Sequence, residues 1–125
     1  MKTISFFSKC ALSAELNIVS PRIGHPYNVN HISARFAQGC NNLMKLRFYY
    51  SLDKSVPATG EPAGVSMLKD YGQVDYVVGN DDTKEMDHNL HIAESGSYLK
   101  VYAVNADTFE HSVDVQITIE DLERQ

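Results

Sequence analysis

Hydrophobic and polar residues alternate with a period of two along much of this chain of 125 residues. Successive side chains of a strand point to opposite faces, so this period predicts strands with one buried face. The clearest run puts five apolar side chains on one face: Met44, Leu46, Phe48, Tyr50 and Leu52. The most regular run comes last and has four: Val113, Val115, Ile117 and Ile119. Both runs are typical of half-buried strands.

Shorter runs with the same period occur in the rest of the chain. Their apolar faces carry Leu12, Ala14, Leu16 and Ile18; Ile32, Ala34 and Phe36; Val74, Tyr76 and Val78; Leu90 and Ile92; and Leu99, Val101 and Ala103. Turn-forming segments such as SPRIGHPY, QGCNN and DKSVPATGEPAG separate several of them. About seven to nine such strands predict an all-β fold, an antiparallel two-sheet β-sandwich of the jelly-roll or immunoglobulin-like kind. The pattern does not choose between these two topologies.

The length of the chain is enough to bury a core, so residues 1–125 are predicted to form a single domain. Hydrophobic residues make up 43% and charged residues 22%, which is ordinary for a globular protein. The net charge of −5 argues against a nucleic-acid partner, whose binding needs a basic patch. No apolar run approaches the roughly 18 residues of a membrane span. A soluble, acidic protein that does not enter a membrane is therefore predicted.

The first ten residues, MKTISFFSKC, place a positive charge before apolar residues, as an export signal does. Lys9 interrupts the apolar run well short of the roughly 7–15 residues that such a signal needs. A cytoplasmic location is therefore predicted, with secretion as the alternative. In the cytoplasm Cys10 and Cys40 are expected to be reduced and buried, although their spacing leaves a disulfide open.

The segment GNDDTKEMDHN, residues 79–89, concentrates acidic side chains between two apolar runs. Calcium prefers several carboxylate and carbonyl oxygens, so the segment is a candidate calcium site. Its spacing lacks the alternating Asp/Asn positions, the central glycine and the closing glutamate of an EF-hand loop. Asn and Asp also favour turns, because they bond their own backbone. We therefore predict a turn between strands and no cofactor, with Ca²⁺ bound by Asp81, Asp82 and Asp87 as the alternative.

Three histidines are candidates for chemistry. His88 and His91 have an odd spacing that sends the side chains of a strand to opposite faces, so a shared metal is not expected. His111 has the parity of the core face of the last run and is expected at the rim of that face. A histidine there could act as a general base near pH 7, but no partner is identifiable along the chain. Structural roles are therefore predicted for all three.

Tyr49, Tyr98 and Tyr102 occupy outward positions in two of the predicted strands. If those strands share a sheet, the rings could form a polar-edged platform on which a sugar or a protein partner stacks. Tyrosine is also a good strand former that pairs with its neighbours, which is the structural alternative. The loop at residues 55–66 is predicted to cross between the two sheets.

The leading hypothesis is a non-catalytic binding or assembly module that presents a sheet face or loops to a protein or carbohydrate (glycan) partner. It depends on the outward tyrosines and on the lack of a recognisable catalytic motif. One alternative is a small metal-dependent or hydrolytic enzyme with a site near the acidic segment and His111. Another is a structural subunit of a larger symmetric assembly, and exposed edge strands make a homo-oligomer a further expectation.

Overall fold

The computed structural model describes residues 2–11, 13–36, 43–53, 62, 64–67, 76–80, 82–93, 96–107 and 110–121. This part of the chain forms eight strands: β1 (Lys2–Cys10), β2 (Glu15–Val19), β3 (Tyr27–Phe36), β4 (Met44–Ser51), β5 (Val65–Ser66), β6 (Asp82–Ile92), β7 (Tyr98–Asn105) and β8 (His111–Asp121). Within these residues there is no helix that is long and apolar enough to span a membrane.

The strands form two four-stranded antiparallel sheets. Sheet A has the order β1-β8-β3-β6, and sheet B has the order β2-β7-β4-β5. The first strand therefore pairs with the last, the second with the seventh, the third with the sixth and the fourth with the fifth. This nested pairing across two sheets is a jelly roll. The predicted two-sheet sandwich is confirmed, and of the two topologies left open the chain adopts the jelly roll.

The core lies between the inner faces of the two sheets. The predicted apolar alternation is confirmed in β3, β4, β7 and β8, whose fully or almost fully buried side chains include Ile32, Ala34, Phe36, Met44, Leu46, Phe48, Leu99, Val101, Ala103, Val113, Val115, Ile117 and Ile119. At roughly 25 cal/mol for each Å² of apolar surface removed from water, these side chains are the main stabilising contribution to the sandwich. The prediction fails for Leu52, which lies just beyond β4 and is exposed.

A β-bulge in β3 interrupts the period-two pattern, so part of the core cannot be predicted from it. The register of β3 against both of its neighbours shifts between Val29 and His31. The extra residue moves the inward positions from even to odd numbers, so Tyr27 and Val29 are buried together with Ile32. The segment SPRIGHPY, read as a break, thus ends at a core tyrosine.

β1 is a strand that the sequence pattern does not reveal. Its inward positions hold Phe6 and Cys10, both buried, but they also hold Ser8, and Lys9 ends the apolar run. Because β1 lies at the edge of sheet A, it tolerates polar residues that a central strand would exclude. The N-terminal segment, compared above with an export signal, contributes this strand to the sandwich.

Two connection predictions are wrong. Residues 79–89 do not form a turn between strands, because most of that segment belongs to β6, an edge strand of eleven residues. The loop predicted at residues 55–66 does not lead from one sheet to the other, because the strands before and after it, β4 and β5, pair inside sheet B; residues 55–61 and 63 lie outside the described residues. Of the predicted strand at residues 74–78, Val77 forms a single bridge to Leu46 on the edge of β4, while Val74 lies outside the described residues.

Candidate functional site

The outer face of sheet B brings the three predicted tyrosines together. Tyr49 lies in β4, and Tyr98 and Tyr102 lie in the adjacent strand β7. Tyr49 and Tyr102 are only 4% and 5% exposed, however, and Tyr98 is half-buried. The rings therefore share one sheet face, but two of them are covered and cannot offer a flat platform to a sugar.

Cation–π contacts join this face to Tyr76, which lies outside the strands. The guanidinium carbon of Arg47 lies 5.8 Å from the ring centre of Tyr76 and 5.9 Å from that of Tyr102. Lys45 Nζ lies 4.7 Å from the Tyr76 ring centre. Such cation–π contacts are each worth about 0.5–2 kcal/mol. They fasten Tyr76 against sheet B, which is a structural role for these residues.

Lys100 occupies the middle of the same outer face and is fully buried. It is the cross-strand partner of Tyr49 in β4 and of Val19 in β2. Burial lowers the pKa of Lys100 because it disfavours the charged ammonium, while the charge of Asp53 acts in the opposite direction. Part of the outer face of sheet B is therefore buried, which the period-two alternation does not predict.

An open cleft lies at one end of this sheet, where β4 ends and β5 begins. It encloses about 380 Å³ and is lined by Tyr50, Ser51, Leu52, Gly64 and Val65. Leu52 is 64% exposed and Val65 is 44% exposed, so the rim is aliphatic. Clustered exposed apolar side chains beside a concavity mark interaction sites more often than isolated ones do.

Gly64 determines the shape of this cleft. Its φ of 141° is rarely adopted by other residues, and a Cβ atom there would lie 2.6 Å from the carbonyl oxygen of Tyr50. Glycine thus lets the chain before β5 approach the end of β4 closely. The only sequence signal for this wall is the glycine itself, since alternation predicts neither β5 nor its pairing.

Asp82 and Asp87, two of the three candidate calcium residues, both lie in β6. Asp82 and Asp87 are five residues apart in an extended strand, which separates their Cα atoms by about 17 Å. Asp81 lies outside the described residues. Among the described residues there is no group of three or more His, Cys, Asp or Glu side chains arranged to hold a metal ion.

Asp87 instead bonds to His31 across the outer face of sheet A. The distance from His31 Nδ1 to Asp87 Oδ1 is 2.8 Å, and that from His31 Nε2 to Glu85 Oε1 is 3.2 Å. The protonated ring donates to both carboxylates. The hydrogen bond with Asp87 raises the pKa of His31, the bond with Glu85 acts in the same direction, and partial burial opposes them. The pair joins the acidic edge strand β6 to β3.

We expect β6 to be attached less firmly to β3 at alkaline pH, because His31 then loses its proton and the charged hydrogen bonds with it. The pKa of His31 is higher in the folded than in the unfolded chain, so the stabilisation is complete below about 6.5 and is lost as pH rises through the folded value. Both carboxylates are largely exposed, so the contribution is below about 1 kcal/mol. An NMR titration of the imidazole should show a raised pKa that falls in Asp87→Asn. An unchanged pKa in that variant would contradict the assignment.

His111 has a partner that strand parity could not identify. It is buried at the start of β8, and its Nε2–H donates to Asp107 Oδ2 over 2.8 Å. Asp107 lies outside the strands, four residues before His111, where the period-two pattern says nothing about side-chain direction. His91 is exposed on β6 far from this pair in sequence, and the side chain of His88 lies outside the described residues.

Cys10 is the cross-strand partner of His111, so a cysteine, a histidine and an aspartate meet at this end of the sandwich. The Cys10 thiol is free and buried, and it donates to the carbonyl oxygen of Ala14 at 3.4 Å. Burial raises the pKa of this thiol, which opposes formation of the nucleophilic thiolate. The group is therefore arranged to hold strand ends together, and Cys40 lies outside the described residues.

No family model and no curated protein matches this sequence. Similar solved structures include the Yersinia pseudotuberculosis-derived mitogen, with 9% identity, a TM-score of 0.51 and coverage of 99% of this chain and 90% of that one. A carbohydrate-binding module, CBM32-1 from a family 31 glycoside hydrolase of Clostridium perfringens, gives 13% identity, a TM-score of 0.49 and coverage of 90% and 75%.

A chain of infectious bursal disease virus, Gx strain, gives 10% identity and a TM-score of 0.47. The match covers 98% of this chain but 32% of the viral one, so this protein spans about a third of that chain. At these identities the similarity concerns the sandwich fold alone.

Proposed function

We propose that this protein is a non-catalytic binding module that engages a protein partner through the cleft at the ends of β4 and β5. The observation that carries the proposal is the aliphatic rim, where Leu52 and Val65 stay exposed beside a preformed cavity of about 380 Å³. Burying an exposed leucine or valine fully is worth about 1.5–3 kcal/mol. A partner that inserts an apolar side chain would gain this contribution without reorganising the wall at Gly64.

The composition of the rim favours a protein partner over a glycan. Sugars stack on exposed aromatic rings, whereas the most exposed side chains of the cleft are Leu52 and Val65, and the one aromatic residue among its described lining, Tyr50, is half-buried. The cleft combines exposed aliphatic side chains with the Ser51 hydroxyl, which already accepts a hydrogen bond from the Asp53 amide at 3.1 Å. Apolar anchors that fill a pocket inside a polar rim are the usual energetic centre of protein–protein interfaces.

Replacing Leu52 with aspartate is expected to weaken partner binding at least roughly tenfold, because the charge would have to be buried against apolar surface. Peptides selected from a random display library on the wild-type protein supply the ligand, and calorimetry gives the dissociation constants. Leu43→Asp is the matched control, since Leu43 is 40% exposed directly before β4 and Leu52 follows the same strand.

Equal affinity of the selected peptides for wild type and Leu52→Asp would refute the cleft as the binding surface. Val65→Asp provides an independent second variant on the opposite wall. A glycan array run in parallel separates the partner classes: reproducible sugar binding that Leu52→Asp does not affect would overturn the choice of a protein partner.

A further inference from the structure

A second cleft lies on the opposite side of the sandwich, between the free edge of β1 and the segment at residues 21–23. It encloses about 300 Å³ and is lined by Thr3, Ile4, Ser5, Pro21, Arg22 and Ile23. The segment is firmly placed, because Ile23 forms a two-sided backbone bridge with Ser97 and Ser20 bonds to the backbone of Leu99. One wall of the cleft is thus an edge strand, and the other carries an arginine.

The side chain of Arg22, which is exposed, lies against two glycines. A Cβ atom at Gly96 would collide with the guanidinium, and one at Gly24 would lie 3.3 Å from Nη1. The planar group therefore lies over the bare backbone of both glycines. Gly96 has a φ of 87°, a conformation that other residues rarely adopt. The absence of a side chain at both positions leaves room for the guanidinium against the backbone, beside the cleft.

The guanidinium is chemically suited to a carboxylate. No hydrogen bond or ion pair joins Arg22 to any residue in the described part of the chain. Arginine presents paired N–H donors in a fixed fork that matches the two oxygens of a carboxylate. Thr3, Ile4, Ser5 and Ile23 line the same cleft, so a ligand there meets one charge beside polar and apolar side chains. The Thr3 hydroxyl already bonds to that of Thr118 on β8, 3.3 Å away.

The edge of β1 adds a preference for an extended chain. Among the described strands, β1 has a hydrogen-bonded neighbour on one side only, so alternate backbone N–H and C=O groups along Thr3–Ser5 face the cleft side. Extended peptides add to such edges through main-chain hydrogen bonds. β1 carries two lysines and no acidic residue, in contrast with the acidic β6 at the other edge of sheet A. The charge of β1 therefore complements an acidic segment.

We propose that this cleft binds an extended acidic peptide, which pairs with the edge of β1 and places a carboxylate on Arg22. The site is separate from the cleft at β4 and β5 and goes beyond the function proposed there. A ligand at this position would be recognised through two features: its backbone, which pairs with β1, and its negative charge, which binds Arg22.

The probe is a blocked pentapeptide of alternating valine and threonine that ends in glutamate, with a glutamine twin as its uncharged control. In ¹⁵N-labelled full-length protein, the glutamate peptide is expected to shift the amide signals of Thr3, Ser5 and Ile23. Arg22→Gln is expected to weaken binding roughly ten- to hundredfold, because a charged two-point hydrogen bond is lost. Arg22→Lys keeps the charge but loses the fork and should fall between the two.

Arg35→Gln is the matched control, since Arg35 is exposed on the outer face of sheet A and lines a different depression. It should leave the affinity unchanged. Three results would overturn the proposal: no binding at millimolar peptide, equal affinity of the glutamine twin, or wild-type affinity in a folded Arg22→Gln variant. Glucuronate, an acidic sugar, gives a fourth test: binding as tight as that of the peptide would show that the β1 edge contributes nothing and would also overturn the proposal.

Discussion

Replacing Phe48 with alanine is expected to lower the free energy of unfolding by about 3–5 kcal/mol. Phe48 is fully buried on the inner face of β4, so the substitution removes a large apolar surface and leaves a cavity between the two sheets. Because domains of this size are stabilised by about 5–15 kcal/mol in total, the variant should be close to unfolding at room temperature. Urea titration followed by circular dichroism measures the change.

The matched control is Phe7→Ala. Phe7 has the same side chain but is 68% exposed on the outer face of β1, so its loss should change stability by less than about 0.5 kcal/mol. Similar losses for the two variants would contradict the placement of the core between the sheets.

Replacing Asn105 with alanine should cost about 2–4 kcal/mol, although it removes only a small polar group. Asn105 is buried, and its Nδ2 donates to the carbonyl oxygens of Cys10 and Ala11 at 3.2 Å, while its Oδ1 accepts from the Asp107 amide at 3.0 Å. The substitution leaves these backbone groups without a partner, at about 1–3 kcal/mol for each group that stays buried. Thermal and urea unfolding report the loss.

Asn105→Asp tests the direction of these bonds. A carboxylate keeps an acceptor for the Asp107 amide but faces two carbonyl oxygens, so it should destabilise at neutral pH and less at pH 3, relative to Asn105→Ala at each pH. Gln116→Ala, on the exposed outer side of β8, is the control and should be nearly neutral. If Asn105→Ala behaved like the control, the link between the end of β1 and the end of β7 would be refuted.

Alternation was informative where a strand has one face in the core and the other in solvent. It identified β4 and β8 almost residue by residue, because Phe48 and Ile117 sit in uninterrupted period-two runs. It failed where that condition does not hold. The β3 bulge changes the parity at Val29, and the edge position of β6 lets charged residues replace apolar ones. β1 was missed for the same reason, since an edge strand needs fewer buried side chains.

The candidate site was less predictable than the fold. Parity predicted that Tyr49 and Tyr102 point outward, but it did not show that their strands share a sheet, which the pairing of β4 with β7 decides. Their burial depends on what packs over the outer face of sheet B, and alternation treats outward positions as solvent. Asp107, the partner of His111, lies outside the strands, and the two partners of His31 lie on a strand 54 and 56 residues away in the chain. Contacts between residues so far apart in the chain leave no local pattern in the sequence from which they could be predicted.

The amino-acid sequence by itself determined the class of this protein, because the period of apolar residues depends only on how successive side chains of a strand project. It also supplied the residues that shape the two clefts, which are the leucine at position 52, the arginine at position 22 and the glycines at positions 64 and 96, although the exposure of Leu52 came from the structure. Tertiary structure alone decided the jelly-roll order, the free edge of β1 and the two clefts. These features arise when strands distant in the chain pair, and pairing depends on the packing of two whole sheets and not on any single segment.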